Sequence, residues 1–292
     1  MPEGHTIHRL ARDHRRWFVG SVLRVTSPSG RFADGAAQLD GQVLEATDAW
    51  GKHLFHRYED GRSVHIHLGL FGRFFVHRVV GGDDAPGAPP EPRDTTRYRI
   101  VGAERAVDLV GATACELWAP GEVDALVDRL GPDPIRTDAD PERAWAALQR
   151  RSVGIGRALM DQRVLAGVGN VYRAEVLFVH GLHPEVPARQ VPRETWDAMW
   201  DTLVAWLRRG VRQRRIVTTE ASDLPPEREG TDLPPEREGT ELGRARSETR
   251  REESVHVYKR ERCRRCDSPI RRWDLAGRWA YACETCQPRP RG

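Results

Sequence analysis

The hydrophobic pattern of this chain changes period twice. Over residues 3–18, Ile7, Leu10, Ala11, Trp17 and Phe18 fall at the spacing of a one-faced helix, with Gly20 placed to end it. Short alternating runs follow at 22–25, 43–46, 53–58, 64–68, 74–79, 97–101 and 106–110, and Asp60-Gly61 marks a hairpin turn. These predict a sandwich of antiparallel strands behind one leading helix. The Gly-, Pro- and Asp-rich stretch 81–96 reads as a mobile connection. After Pro120 the period becomes helical: Val123, Leu126, Val127 and Leu130 share a face, and 141–151 is a second helical stretch. Residues 155–178 predict a short helix, a glycine-punctuated turn and a helix opening at Asn170 as its N-cap. A longer amphipathic helix over 194–211 closes the bundle.

Beyond 219 the chain turns polar and repeats itself, since the Asp-Leu-Pro-Pro-Glu-Arg-Glu-Gly of 223–230 recurs at 232–239. Such a duplication has too little apolar surface for a core, so 219–252 reads as a disordered insertion. Order is predicted to return before Cys263, Cys266, Cys283 and Cys286, whose C-x2-C-x16-C-x2-C spacing brings four thiolates to one structural zinc ion (Zn2+). Strands at 270–273 and 279–282 would make a hairpin with Arg278 near its tip. Cys115, among apolar residues, reads as buried filler. The predicted class is therefore α+β, with an N-terminal β-sandwich over 1–120, a helical domain over 121–218, the insertion over 219–252 and a zinc finger over 253–292.

Composition narrows the setting. A hydrophobic content of 39% with nine Trp in 292 residues suits two globular domains. No run reaches the roughly 18–20 apolar residues of a membrane span, and no apolar signal-peptide core opens the chain, so a cytoplasmic protein with no membrane partner is expected. Net charge is only +3, yet 257–292 holds ten Lys or Arg against four Asp or Glu, an excess that suits a polyanion.

The first residues carry the most pointed chemistry. Removal of Met1 would leave Pro2 with a free secondary amine, and a helix starting just downstream disfavours its protonation. Such an amine attacks a sugar C1′ to give an iminium, and Glu3 alongside can supply the proton. The plain alternative is a proline that merely starts a helix. A helix opening at Asn170 likewise suits phosphate, with simple capping as its alternative.

Taken together, Pro2-Glu3-Gly4, Gly51-Lys52-His53-Leu54, the Gly167-Val168-Gly169-Asn170-Val171-Tyr172 turn and the terminal four-cysteine finger resemble the formamidopyrimidine-DNA glycosylase and endonuclease VIII superfamily over nearly the whole chain. The resemblance implies a bifunctional DNA glycosylase and AP lyase of base excision repair, with a helix-two-turns-helix module as the helical domain. It implies Pro2 as Schiff-base nucleophile, Glu3 as proton donor and Lys52 as a phosphate contact assisting β-elimination. Arg129 would be a DNA contact, Asn170 a phosphate ligand, and Arg278 a phosphate grip that aids δ-elimination. Glu175 aligns with a buried structural glutamate. Because a paired base is out of reach, the enzyme must rotate the nucleotide outward, and Leu70-Phe71, between two glycines, suits the wedge that fills the gap. The Pro-Glu-Gly start favours the endonuclease VIII branch and oxidised pyrimidines. Gly69 stands where that branch has glutamine, and His5 is not shared by every member. A monomeric protein working on damaged DNA at the nucleoid is implied. Two alternatives stay open: an oxidised-purine glycosylase, and a damaged-DNA-binding protein without catalysis.

Overall fold

Ile7, Leu10, Ala11, His14 and Phe18 form the buried stripe of α1 (Gly4–Phe18), while Arg12, Arg15 and Arg16 face solvent. Gly20, at φ +81°, turns the chain after it, and its N–H bonds the Leu44 carbonyl. The computed structural model describes residues 2–82, 85–223 and 253–290. The chain divides into two units, Met1–Asp133 and Pro134–Gly292. No helix among the described residues is long and apolar enough to cross a membrane.

The first unit continues with β1 (Arg24–Thr26), α2 (Ala33–Leu39), β2 (Leu44–Trp50), β3 (His53–Tyr58), β4 (Ser63–His67) and β5 (Arg73–Arg78). A short pair, β6 (Val80–Gly82) and β7 (Ala85–Ala88), precedes β8 (Thr96–Val101), β9 (Arg105–Val110), β10 (Ala114–Trp118) and α3 (Glu122–Val127). Two antiparallel sheets result, ordered β1-β8-β9-β5 and β10-β4-β3-β2, as the strand pattern predicts. Three elements depart from the sequence reading. The connection expected over 81–96 contains the β6–β7 pair. β10 hides its signal behind Glu116, and α2 is too short to show a period. Gly35 is required in α2, because a Cβ there would lie 2.4 Å from the Phe32 ring.

The core between the sheets is apolar around Leu39, Leu44, Leu54, Val64, Ile66, Ile100 and Leu109, each contributing about 2 kcal/mol on burial. A polar thread runs through it. His14 Nδ1 meets His56 Nε2 at 3.0 Å, His56 Nδ1 meets the Tyr98 hydroxyl at 3.2 Å, and that hydroxyl meets the one of Tyr58 at 2.7 Å. All four residues are buried. The rings can alternate donor and acceptor along it with both histidines neutral, and only the far nitrogen of His14, Nε2, is left buried without a partner in the thread.

In the second unit, α4 (Pro141–Gln149) starts at Asp140, whose carboxylate accepts from the Glu142 N–H at 2.9 Å. Then come α5 (Ile155–Ala158), α6 (Asn170–Val179) and α7 (Arg193–Gln213). α7 buries Trp196, Met199, Trp200, Leu203, Trp206 and Leu207 along one face, while α6 is buried from Asn170 to Phe178. Its far side packs on Val255, Val257 and Tyr281. β11 (Arg271–Asp274) and β12 (Trp279–Ala282) form the expected hairpin. Ala276 and Gly277, at φ +55° and +77°, fill its two-residue tip, the backbone a primed turn demands. Most of the stretch read as an insertion, 224–252, lies outside the described residues.

Burial lowers His14 from 6.5 to about 3, with Arg9 adding to the effect, and takes His56 well below its ordinary value. Below pH 6.5 the unfolded chain therefore binds protons that the folded chain refuses, so stability is full above 6.5 and falls with pH. At pH 5 His14 alone accounts for a loss of about 2 kcal/mol, and His56 acts in the same direction. Urea unfolding at pH 7 and pH 5 measures this; equal stability at the two would show that the thread does not stay neutral.

Candidate functional site

In the first unit, Pro2 is half-buried at the entrance of α1 and Glu3, immediately before its first residue, is fully buried. His5 is buried one turn in, with Nε2 3.1 Å from the Thr6 hydroxyl, and burial, then Arg9, lowers it to about 3. A neutral ring is thus set beside the helix entrance. His8 Nε2 reaches Asp133 Oδ2 at 2.6 Å, and the same oxygen accepts from the Gly51 N–H at 2.7 Å. Trp50 Nε1 donates to the Gly131 carbonyl at 3.1 Å. The carboxylate of Asp133 thereby ties the helix that carries Pro2 and Glu3 to the turn that carries Lys52.

Lys52 is partly exposed in the two-residue turn between β2 and β3. His53 and His67 feel its charge, and His53 is lowered to about 3, mainly by burial and then by His65, His67 and Lys52. His53 Nδ1 lies 2.8 Å from His65 Nε2, and His65 stacks on Trp118 at 3.9 Å. Sequence reading missed both Asp133 and this histidine group. The histidines' one signal was alternation along β3 and β4, which places His53, Phe55, His65 and His67 on one face.

Leu70 and Phe71 stand in the loop between β4 and β5, 45% and 82% exposed, so neither fills the core. Gly69 has φ +66°, and a Cβ on it would lie 1.9 Å from Thr113 Oγ1, while one on Gly72 would lie 2.3 Å from the Leu68 carbonyl. Glutamine could not occupy position 69 in this loop. Arg129 is exposed just beyond α3.

In the second unit, Asn170 is not the N-cap. Gly169 holds that position, and Asn170 opens α6 with its side chain turned to the finger. Its Nδ2 donates to the Trp279 carbonyl at 3.0 Å, and its Oδ1 accepts from Arg173 Nη2. Arg173, itself buried, also donates to the Trp279 carbonyl at 2.8 Å. Arg278, the next residue back, is exposed beside the hairpin tip. Asn170 is thus joined to the residue that follows Arg278, with a buried guanidinium behind it.

Glu175, on the same helix, is fully buried. It accepts from the N–H groups of His256, Val257 and Tyr258 at 2.6, 2.9 and 2.8 Å and from the Thr218 hydroxyl at 2.7 Å. The sulfurs of Cys263, Cys266, Cys283 and Cys286 lie within 4.8 Å of one another. Pairs at 3.5 and 3.8 Å suit four thiolates around one metal ion, since bonds of about 2.3 Å at tetrahedral corners separate sulfurs by about 3.8 Å. Gln287 braces the cluster, accepting from Cys283 N–H and donating to the Leu182 carbonyl. Cys115 lies apart, buried, with its thiol pushed up to about 12 by burial.

Comparison with known proteins agrees with this layout. The family model for the formamidopyrimidine-DNA glycosylase N-terminal domain matches residues 1–110, and that for the formamidopyrimidine-DNA glycosylase H2TH domain matches 130–222. The chain is 44% identical to Endonuclease 8 1 of Mycobacterium tuberculosis over 98% of its length and all of that protein. It is 31% identical to Probable endonuclease 8 2 of Streptomyces coelicolor over its whole length and 97% of that protein. Among solved structures, Lactococcus lactis Fpg bound to DNA containing N7-benzyl-Fapy-dG superposes with a TM-score of 0.72 at 21% identity, covering 99% and 100% of the two chains. The same Fpg with an oxidised-pyrimidine DNA gives 0.73 at 20%, with the same coverage.

Replacing Glu175 by Ala would strand three backbone donors in the interior, each worth about 1–3 kcal/mol when left unmet. Urea unfolding should show a loss of about 4 kcal/mol or more. A loss under 1 kcal/mol would mean that the carboxylate does not anchor the finger.

Proposed function

This chain belongs to the formamidopyrimidine-DNA glycosylase and endonuclease 8 family of DNA repair glycosylases with AP lyase activity, and we propose that it removes oxidised pyrimidines through a Schiff base at Pro2. The observation that supports this most is Pro2 beside a buried Glu3 at the α1 entrance, with the Lys52 turn tied to that helix through Asp133. With Met1 removed, the Pro2 amine attacks C1′ of the damaged nucleotide, and Glu3 gives the proton with which the sugar ring opens or the base leaves. The iminium acidifies the C2′ hydrogen. Its loss expels the 3′ phosphate, and a second elimination expels the 5′ phosphate.

Lys52 assists the first elimination and holds the lesion's phosphate; Asn170 and Arg278 grip the backbone, and Arg129 adds a contact. Leu70 and Phe71 enter the stack that the extruded nucleotide leaves. The four cysteines hold one zinc ion, whose role is structural because four thiolates leave no open position. Damaged DNA is the partner of a monomeric cytoplasmic protein. The pyrimidine assignment rests on the Pro2-Glu3-Gly4 start and on likeness to relatives named endonuclease 8.

Borohydride reduction during reaction with damaged duplex should trap a covalent adduct that Pro2→Ala loses. Glu3→Gln should slow base release by about 10²–10⁴-fold while sparing trapping on a preformed abasic site. No adduct from a protein that binds the duplex, and whose mass shows Met1 removed, would falsify the imine. Faster cutting of 8-oxoguanine than of thymine glycol or 5-hydroxyuracil duplexes would move the assignment to purines.

Elemental analysis should find one zinc per chain, and chelation should release it with loss of duplex binding. Full binding by metal-free protein would overturn the structural zinc.

A further inference from the structure

Trp279 is out of keeping with its strand. β12 buries Ala280, Tyr281 and Ala282, yet its first residue, a tryptophan, is 52% exposed. Leaving so much apolar surface in water is unfavourable unless something covers it. Its backbone is fixed, since the carbonyl accepts from both Asn170 and Arg173. Its ring lies under the Arg272 guanidinium, 4.9 Å from the centroid, and Arg278, the residue before it, is exposed, whereas Arg271 lies on the hairpin's other face and pairs with Glu284 at 2.8 Å. An indole on a fixed backbone, with Arg272 on its own face and Arg278 next to it in sequence, fits a ligand with an aromatic or sugar face strung on phosphates. The excess positive charge of 257–292 excludes an acid-free apolar partner as the better match and favours a nucleic-acid strand.

We propose that Trp279 is a DNA-contacting residue: its exposed face packs on a nucleotide next to the phosphate held by Arg278, with Arg272 positioning the ring. This rests on the DNA-repair reading above and adds a contact to it. Cross-strand support of the hairpin by the Arg272–Trp279 pair is the competing role, and it would not respond to DNA.

The test uses the full-length zinc-loaded protein and a duplex with one tetrahydrofuran abasic analogue. Trp279→Ala should weaken binding about ten-fold or more while leaving the slope of log K against log salt unchanged, since stacking releases no counterions. Trp279→Phe should recover most of the affinity. Arg272→Ala should weaken binding as well. Equal melting temperature and zinc content across the variants exclude a folding defect, which a half-exposed residue should not cause. With 5-fluorotryptophan incorporated, the fluorine resonance missing from Trp279→Phe should shift when the duplex is added. Binding by Trp279→Ala within two-fold of the parent, or a resonance unmoved by DNA, overturns the proposal while leaving the repair reading intact. Failure of the parent protein to prefer the abasic duplex over an undamaged one overturns both.

Discussion

A carboxylate taken into a protein interior must be met by donors, and this constraint organises both units of the chain. In the first, Asp133 satisfies itself on His8 and on the Gly51 N–H, and in doing so fixes the α1 entrance against the Lys52 turn. In the second, Glu175 takes three consecutive backbone N–H groups and a hydroxyl, so the chain leading into the finger must run past α6 in one register. Neither carboxylate takes part in the proposed bond-breaking. Each sets where the residues that do, or that hold phosphate, are allowed to stand.

Much of this was legible beforehand because it depends on local periodicity or fixed spacing. The strands at 53–58 and 106–110, the α1 stripe and the cysteine quartet needed only alternation, helical repeat and C-x2-C counting. What stayed hidden depends on contacts between distant residues. Asp133 sits in a plain Gly-Pro-Asp-Pro run, and only the fold brings it to Gly51, 82 positions away. Asn170 looked like a cap because asparagine so often is one. Gly169 takes that backbone conformation instead, and the amide is drawn to a finger carbonyl 109 positions away. The glycine at 69 could be read as a departure from the family pattern but not explained, since the obstacle, Thr113, lies on another strand's approach.

Histidine recurs in the first unit in two unlike ways. Inside the sandwich, His14 and His56 join Tyr98 and Tyr58 in a chain of neutral groups. On the other face of β3 and β4, His53, His65 and His67 gather beside an ammonium group. Burial lowers the pKa of both groups, so residues that would be cationic in mildly acidic water instead add neutral polar groups, the second set beside Lys52.

The fifth cysteine gives the chain a simple redox character. Cys115 is enclosed and its thiol is held protonated, so it offers an oxidant neither access nor a thiolate. Among the described cysteines, the exposed thiol belongs to the ligand cluster, at Cys266. Thiol oxidation under the conditions that damage bases is thereby directed to the finger, and the one cysteine of the sandwich is kept out of reach.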